Sequence, residues 1–253
     1  MRILGILKVR NEEKIIKDTL DHWGSYCTGG IYIVDDVSTD QTREICRAHP
    51  AVKAVLETEC WDADRERAEH VNRQRALDRA KKDAQPDDWF VYFDADERLY
   101  FNDWQLLFEP GVGAVACRLY DVYITPADVD DTYRERQWVG PEYRTIIFFF
   151  KNSPYLGYNK PDQRIVDLPP ETKIVVAGII KHFGKGLSVQ HWEDTVNYYV
   201  DFWPKYATKW EQRRGKAVHD FVSDFGNKLI KFNDILSGRE EGFSLEMKDY
   251  GKN

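Results

Sequence analysis

Apolar residues fall in short blocks over the first part of the chain, and the stretches between them carry apolar side chains only at helical spacing. Ile3 to Val9 reads as a strand, Glu12 to Tyr26 as a helix, and Ile31 to Val34 as a second strand. Ser38-Thr39-Asp40-Gln41 has the spacing of a capping box, which predicts a helix running to about His49. Val52 to Glu57 comes next as a third strand. Asp64 to Lys82 is a long polar helix with few apolar positions, namely Ala68, Val71, Ala76, Leu77 and Ala80. Pro86-Asp87-Asp88 then breaks the chain before a fourth, almost wholly apolar strand from Trp89 to Phe93. This alternation predicts an α/β fold with a Rossmann-like, mostly parallel central sheet flanked by helices.

Beyond Glu97 the rhythm loosens. Strands are expected at Gly113 to Leu119, Thr145 to Phe150 and Lys173 to Ala177, separated by long connections rich in charge and aromatic rings. From His191 the period becomes helical, with Trp192, Val196, Tyr199, Val200 and Trp203 on one face, and the tail after Ser237 is expected to fray. We therefore expect one domain over residues 1–190, its two halves meeting near residue 100, and a helical extension over residues 191–253 packed on it.

Composition narrows the class. The chain has 253 residues, 42% hydrophobic and 14% aromatic, which suits a globular enzyme-like domain and excludes disorder. A net charge of -7 gives no overall electrostatic footprint for nucleic acid. The apolar start, Ile3 to Leu7, is too short and too quickly interrupted for a signal peptide. The uncharged block at Ile146 to Phe150 falls far short of a membrane span, so a soluble cytoplasmic protein is expected. Cys27, Cys46, Cys60 and Cys117 lack metal or redox spacing and read as reduced thiols. Trp203 to Arg214 interleaves aromatics with cations, which leaves peripheral docking on anionic lipid open beside simple packing on the domain.

Candidate chemistry gathers at strand ends. The run Trp89 to Phe93 stops at Asp94, Asp96 and Glu97, and ligand crevices of open parallel sheets lie just outside such carboxyl ends. Asp94 and Asp96 alternate, so an extended backbone turns them to one side, where they can share a metal or the ribose and phosphates of a nucleotide. The other reading is a strand ending in a polar, helix-capping turn. Asp35-Asp36 ends the strand Ile31 to Val34 in the same way, and the two clusters together are more specific than either alone.

Lys8-Val9-Arg10-Asn11-Glu12-Glu13, Val34-Asp35-Asp36-Val37-Ser38-Thr39-Asp40-Gln41-Thr42 and Trp89 to Glu97 together resemble the family 2 glycosyltransferases of the GT-A fold. The resemblance implies a nucleotide-binding half over residues 1–100 and an acceptor-side half over 101–190. It implies that Asp36 reads the nucleotide base, as a carboxylate accepts from the imide N–H of uracil, with the backbone at Leu7 and Lys8 lining the same pocket. Ser38 and Asp36 as plain helix caps are the alternative. Arg73 and Arg75 stand where relatives carry an Arg-Asn pair, but Gln74 departs from that pattern, and most of this helix reads as a solvated charge run.

Asp94-Ala95-Asp96 matches the DXD motif of nucleotide-sugar transferases, which implies Asp96 as the firmest ligand of Mn²⁺ or Mg²⁺ and Asp94 toward the ribose or the metal's water shell. Glu97 reads as a cap on the next segment. His182, in Lys181-His182-Phe183-Gly184-Lys185-Gly186, is placed by the resemblance as a late metal ligand, with an ordinary strand-end histidine as the alternative; Lys181 or Lys185 could neutralise a diphosphate, and His191-Trp192 is a second candidate pair. Inversion at the anomeric carbon needs a carboxylate base, for which Asp162 is chosen over Asp167, Glu142 and Glu193. Trp138, Tyr143, Tyr155, Tyr158 and Trp192 fall in segments expected on the acceptor side.

The implied activity is transfer of a sugar from a nucleoside-diphosphate donor, a UDP-sugar by expectation, to a glycan or glycoconjugate. A haloacid-dehalogenase-type phosphatase also sets an Asp-x-Asp after an apolar strand, but near the amino terminus and with Thr or Val after it, where this chain has Arg98. A nucleotidyltransferase would need a glycine-rich turn after the first strand, and a non-catalytic nucleotide-binding protein is the remaining alternative.

Overall fold

The computed structural model describes residues 1–102, 104–161 and 163–245. The chain forms two compact units, Met1–Cys117 with Ile146–Gly178, and Arg118–Thr145 with Ile179–Asn253. The boundary expected near residue 190 falls inside the second unit.

In the first unit β1 (Ile3–Val9), β2 (Gly30–Asp35), β3 (Val52–Glu57) and β4 (Trp89–Tyr92) arise where the apolar blocks predict strands. β1 pairs in parallel with β2 on one side and β4 on the other, and β3 pairs in parallel beyond β2. Gly30 enters β2 at φ 92°, a left-handed conformation that favours glycine. β7 (Trp138–Lys151) adds antiparallel to β4 through Phe149, Phe150 and Lys151. The strand order is β3-β2-β1-β4-β7-β6-β8-β5, with β5 at Glu97–Tyr100, β6 at Val112–Val122 and β8 at Lys173–His182. The α/β sheet flanked by helices is therefore present as predicted, with antiparallel pairing added beyond β4.

α1 (Ile16–Gly24) starts later than predicted, because residues 12–15 form a turn in which the Glu12 carbonyl accepts from the N–H groups of Ile15 and Ile16. α2 (Thr42–Ala48) begins without the capping box. The Ser38 hydroxyl accepts from the Asn11 N–H instead, and Asp40 takes the Thr42 N–H at 3.0 Å. α3 (Arg65–Lys81) is capped by Asp64, which accepts from the Arg67 N–H at 3.1 Å. Ala76, Leu77 and Ala80 pack with Leu4, Ile6, Tyr32, Val34, Phe90 and Tyr92 in the core, whereas Val71 faces solvent. Arg65, Glu69, Asn72 and Arg73 are buried as well, so the reading of α3 as a solvated charge run fails along the face it turns to the site.

In the second unit α4 (Val189–Phe202) and α5 (Pro204–Glu211) bring Trp192, Val196, Val200 and Trp210 together with Ala217, and Tyr199 stacks on Trp210 at 4.6 Å. The rest is less helical than expected. β9 (Ile230–Lys231) pairs antiparallel with β7, α6 spans Phe232–Leu236, and β10 (Phe243–Ser244) pairs parallel with β7. The tail expected to fray after Ser237 therefore adds a short strand, and its residues 246–253 lie outside the described residues. Cys27, Cys46, Cys60 and Cys117 are free thiols. Among the described residues no helix is long and apolar enough to cross a membrane.

Candidate active site

Parallel pairing of β2, β1 and β4 brings their carboxyl ends out at one edge of the sheet, and the candidate acids sit just past two of them. Asp35 and Asp36 are both fully buried. Asp35 takes Arg43 Nε at 3.0 Å and the Ser38 N–H at 3.2 Å, which ties down the loop after β2. Asp36 Oδ2 pairs with Arg65 of α3, itself buried. Arg10 donates to the carbonyl oxygens of Asp36 and Val37 at 2.8 and 2.9 Å.

The guanidinium groups of Arg10 and Arg65 lie 3.5 and 3.8 Å from the centroid of the Trp61 ring. Among the described residues Asp36 Oδ1 has no hydrogen-bond partner. A buried carboxylate oxygen left without a donor costs stability, and an N–H from a ligand would remove that cost. Val37 adds strain of about 1–3 kcal/mol, being a β-branched residue at φ 59°.

Lys8 at the end of β1 meets Glu69 Oε1 at 2.5 Å, and Arg73 meets Glu69 Oε2 at 2.9 Å. Burial alone would raise the Glu69 carboxyl, but Lys8, Arg73 and Arg65 outweigh it and hold the pKa at about 2. Arg73 also donates to the Tyr92 hydroxyl at 2.9 Å, which donates in turn to Asp94 Oδ1 at 2.7 Å. A continuous polar chain therefore links β1, α3 and β4. Arg75, by contrast, reaches Thr58 and the Glu57 carbonyl and does not join it.

Asp94 Oδ2 pairs with Arg164, whose other nitrogen contacts both oxygens of Glu97 at 2.8 and 2.9 Å. Arg164 lies over the Tyr92 ring at 4.6 Å. Glu97 is buried and takes the Asp94 N–H at 2.7 Å, so it clamps the turn that presents Asp94 and Asp96. Glu12, half-buried in the loop after β1, is pushed well above the ordinary glutamate value of 4.5 by burial and then by the carboxylates of Asp96 and Asp94, with Lys8 opposing. Asp94 and Asp96 supply carboxylate oxygens, the donor type that Mg²⁺ or Mn²⁺ takes, and their charge helps hold the proton on Glu12. Among the described residues no group of three or more His, Cys, Asp or Glu is already arranged as a metal cluster.

Other candidates lie elsewhere or are engaged. His182 belongs to the second unit, its Nδ1 2.6 Å from Asp121. Lys181 donates to the Arg136 carbonyl at 2.5 Å, and burial brings it down to about 8. Asp162 lies outside the described residues. Asp167 accepts from Asn159 and Gln163, Glu193 from the Gly215 N–H, and Glu142 from Asn227. Of the acceptor-side aromatics, Tyr158 and Trp192 are buried core residues and Tyr155 is exposed.

Glu12, Trp61, Arg65, Glu69 and Arg164 join the site without having been singled out by the sequence. Arg65 and Glu69 carry a signal, since α3 has too narrow an apolar stripe for a packed helix and must bury polar groups with partners. Nothing local marks Arg164 as the partner of Asp94.

The family model described as Glycosyl transferase family 2 matches residues 6–163. An uncharacterized protein of Mycobacterium tuberculosis is 41% identical over 56 residues, 22% of this chain and 14% of its own, and its counterpart in Mycobacterium bovis matches to the same extent. The match thus spans about a seventh of these relatives' length. Among solved structures, S. aureus TarS 1-349 aligns with a TM-score of 0.45 and 15% identity over 84% of this chain and 69% of its own. Glucosyl-3-phosphoglycerate synthase from Mycobacterium tuberculosis, in complex with Mn²⁺ and UDP-glucose, aligns with a TM-score of 0.32 and 21% identity over 47% of this chain and 43% of its own.

Proposed function

The chain belongs to glycosyl transferase family 2, and on that premise we propose that it is a glycosyltransferase that moves a sugar from a UDP-linked donor to a glycan or glycoconjugate with inversion at the anomeric carbon. The observation that carries the reading is Asp36: a buried carboxylate, fixed through one oxygen by Arg65, with its other oxygen lacking a donor among the described residues, at the sheet edge where Asp94 and Asp96 also emerge. One acceptor oxygen held in place suits an imide N–H.

Asp94 and Asp96 would hold Mn²⁺ or Mg²⁺, with Glu12 beside them. When bound, such a cation neutralises charge on the departing diphosphate. The chain's own residues do the rest. Glu69 fixes Lys8 and Arg73 as cations beside the acids, and Glu97 with Arg164 sets the Asp94 carboxylate. We assign the base that takes the acceptor hydroxyl proton to Asp162, on the ground of the family resemblance.

A thermal-shift panel of UDP, GDP, CMP and dTDP, each with and without Mn²⁺, tests base and metal together. UDP with Mn²⁺ should stabilise most, Asp36→Asn should lose the preference for UDP, and Asp94→Asn and Asp96→Asn should abolish sugar transfer while staying folded. Asp162→Asn should keep donor binding and lose turnover. Full transfer by both DXD-site variants would remove the metal assignment, and a product of retained configuration would remove inversion.

A further inference from the structure

β4 is an apolar strand that carries a hydroxyl near its end. The Tyr92 ring packs with Leu4, Ile6, Leu77 and Phe90 in the core and is 2% exposed. Phenylalanine would fill that place without taking an oxygen out of water. The hydroxyl is held on both sides. Arg73 Nε donates to it at 2.9 Å, and an arginine nitrogen can only donate, so the one hydroxyl proton goes to Asp94 Oδ1 at 2.7 Å.

Arg73 is fixed in turn. It is buried, meets Glu69 Oε2 at 2.9 Å and donates to the Gln163 carbonyl at 2.8 Å, while Lys8 holds Glu69 Oε1 at 2.5 Å. The direction of the Tyr92 O–H is therefore set by a buried guanidinium that α3 and β1 anchor.

At the far end of this chain of contacts the half-buried Asp94 receives Tyr92 on Oδ1 and Arg164 on Oδ2. The terminal torsion of an aspartate is soft, and a donor on each oxygen fixes the plane of the carboxylate. Each oxygen keeps a further lone pair with which to accept from a ligand. Without the hydroxyl the carboxylate would hinge on its Arg164 contact. We propose that Tyr92 is a positioning residue for the donor site: its hydroxyl, aimed by Arg73, sets the plane in which the Asp94 carboxylate meets a nucleoside diphosphate and its cation. This rests on the assignment of Asp94 to the donor.

Tyr92→Phe keeps the ring, and with it the Arg164 guanidinium 4.6 Å from its centroid, and removes only the oxygen. Thermal unfolding of the full chain over a range of UDP concentrations with Mn²⁺ reads the half-saturating UDP concentration apart from the midpoint of the unliganded chain. Tyr92→Phe should raise that concentration about tenfold, the order of one hydrogen bond to a charged group. Tyr158→Phe should leave it unchanged. Tyr158 is buried with its ring centroid 5.9 Å from that of Tyr92, and its hydroxyl has no hydrogen-bond partner among the described residues. Asp94→Ala should weaken UDP by itself, and adding Tyr92→Phe to it should weaken UDP no further, because no carboxylate is left to position. An unchanged UDP response in Tyr92→Phe, an equal loss in Tyr158→Phe, or a full further loss on top of Asp94→Ala would each overturn the role of Tyr92. UDP binding as tight in Asp94→Ala as in the parent chain would overturn the donor assignment of Asp94 and the proposal with it. An impaired Asp94→Ala beside an unimpaired Tyr92→Phe would sink the proposal alone.

Discussion

Glu12 is where the site's chemistry can be tested on a single proton. Burial, Asp96 and Asp94 hold its carboxyl well above 4.5 in the folded chain, whereas the unfolded chain titrates near that value. Below 4.5 both states keep the proton and nothing is lost. As pH rises past 4.5 the unfolded chain releases its proton while the folded chain does not, so stability falls through that window. Glu12→Gln should therefore raise the urea midpoint at neutral pH, have little effect well below pH 4.5, and lose its advantage when Mn²⁺ is added. An equal gain at both pH values would show that the crowding of carboxylates is not its cause. Asp36, Asp94 and Asp96 are legible in the sequence because each ends an apolar run, a signal within a few residues. Glu12 sits in the same motif as Lys8 without standing out, since its role comes from acids more than 80 positions away in sequence. Arg164 is invisible for the same reason: an ion pair across 70 residues leaves no local pattern.

The elements that position these residues show the same division between local and distant causes. β1 to β4 and α3 obey hydrophobic spacing and an Asp64 cap, and they form as predicted. The capping box at Ser38 fails because Asn11 and Asp35 claim the loop's polar groups first. β5 escapes a sequence reading since Glu97-Arg98 at its start looks like a solvated turn, yet both residues are buried and Arg98 donates to the Ala95 and Glu97 carbonyls. His22 of α1 joins that strand by accepting the Leu99 N–H at Nε2, 2.9 Å away. Burial and then Arg98 bring His22 down from 6.5 to about 4. Above 6.5 both states are neutral. As pH falls from 6.5 toward 4 the unfolded chain takes up the proton and the folded chain does not, so up to about 3 kcal/mol of stability is lost across that window. His22→Gln should flatten the urea midpoint between these pH values. A slope identical to that of the parent chain would assign the acid sensitivity to other groups.

The candidate donor acids all lie in one of the two compact units. The family match over residues 6–163 takes in every acid of the candidate donor site, while Asp121 and Asp224, each ion-paired with Lys185, belong to the second unit. The change to helical period suggests a boundary near residue 190. The units divide instead within β6, β7 and β8, each of which is one continuous strand, and hydrophobic periodicity has nothing to mark there. Hydrogen exchange should locate the donor on the chain. UDP with Mn²⁺ should slow exchange in peptides covering residues 7–13, 34–40 and 92–98, because their backbone forms the loops around Asp36, Asp94 and Glu12. Local protection by a bound ligand tracks its contacts, whereas general stabilisation by salt slows exchange everywhere the chain opens globally. Protection by UDP with Mn²⁺ spread evenly over all peptides, with none concentrated in these three loops, would mean that the ligand stabilises the chain without contacting them, and the assignment of Asp36, Asp94 and Glu12 to the donor site would have to be abandoned.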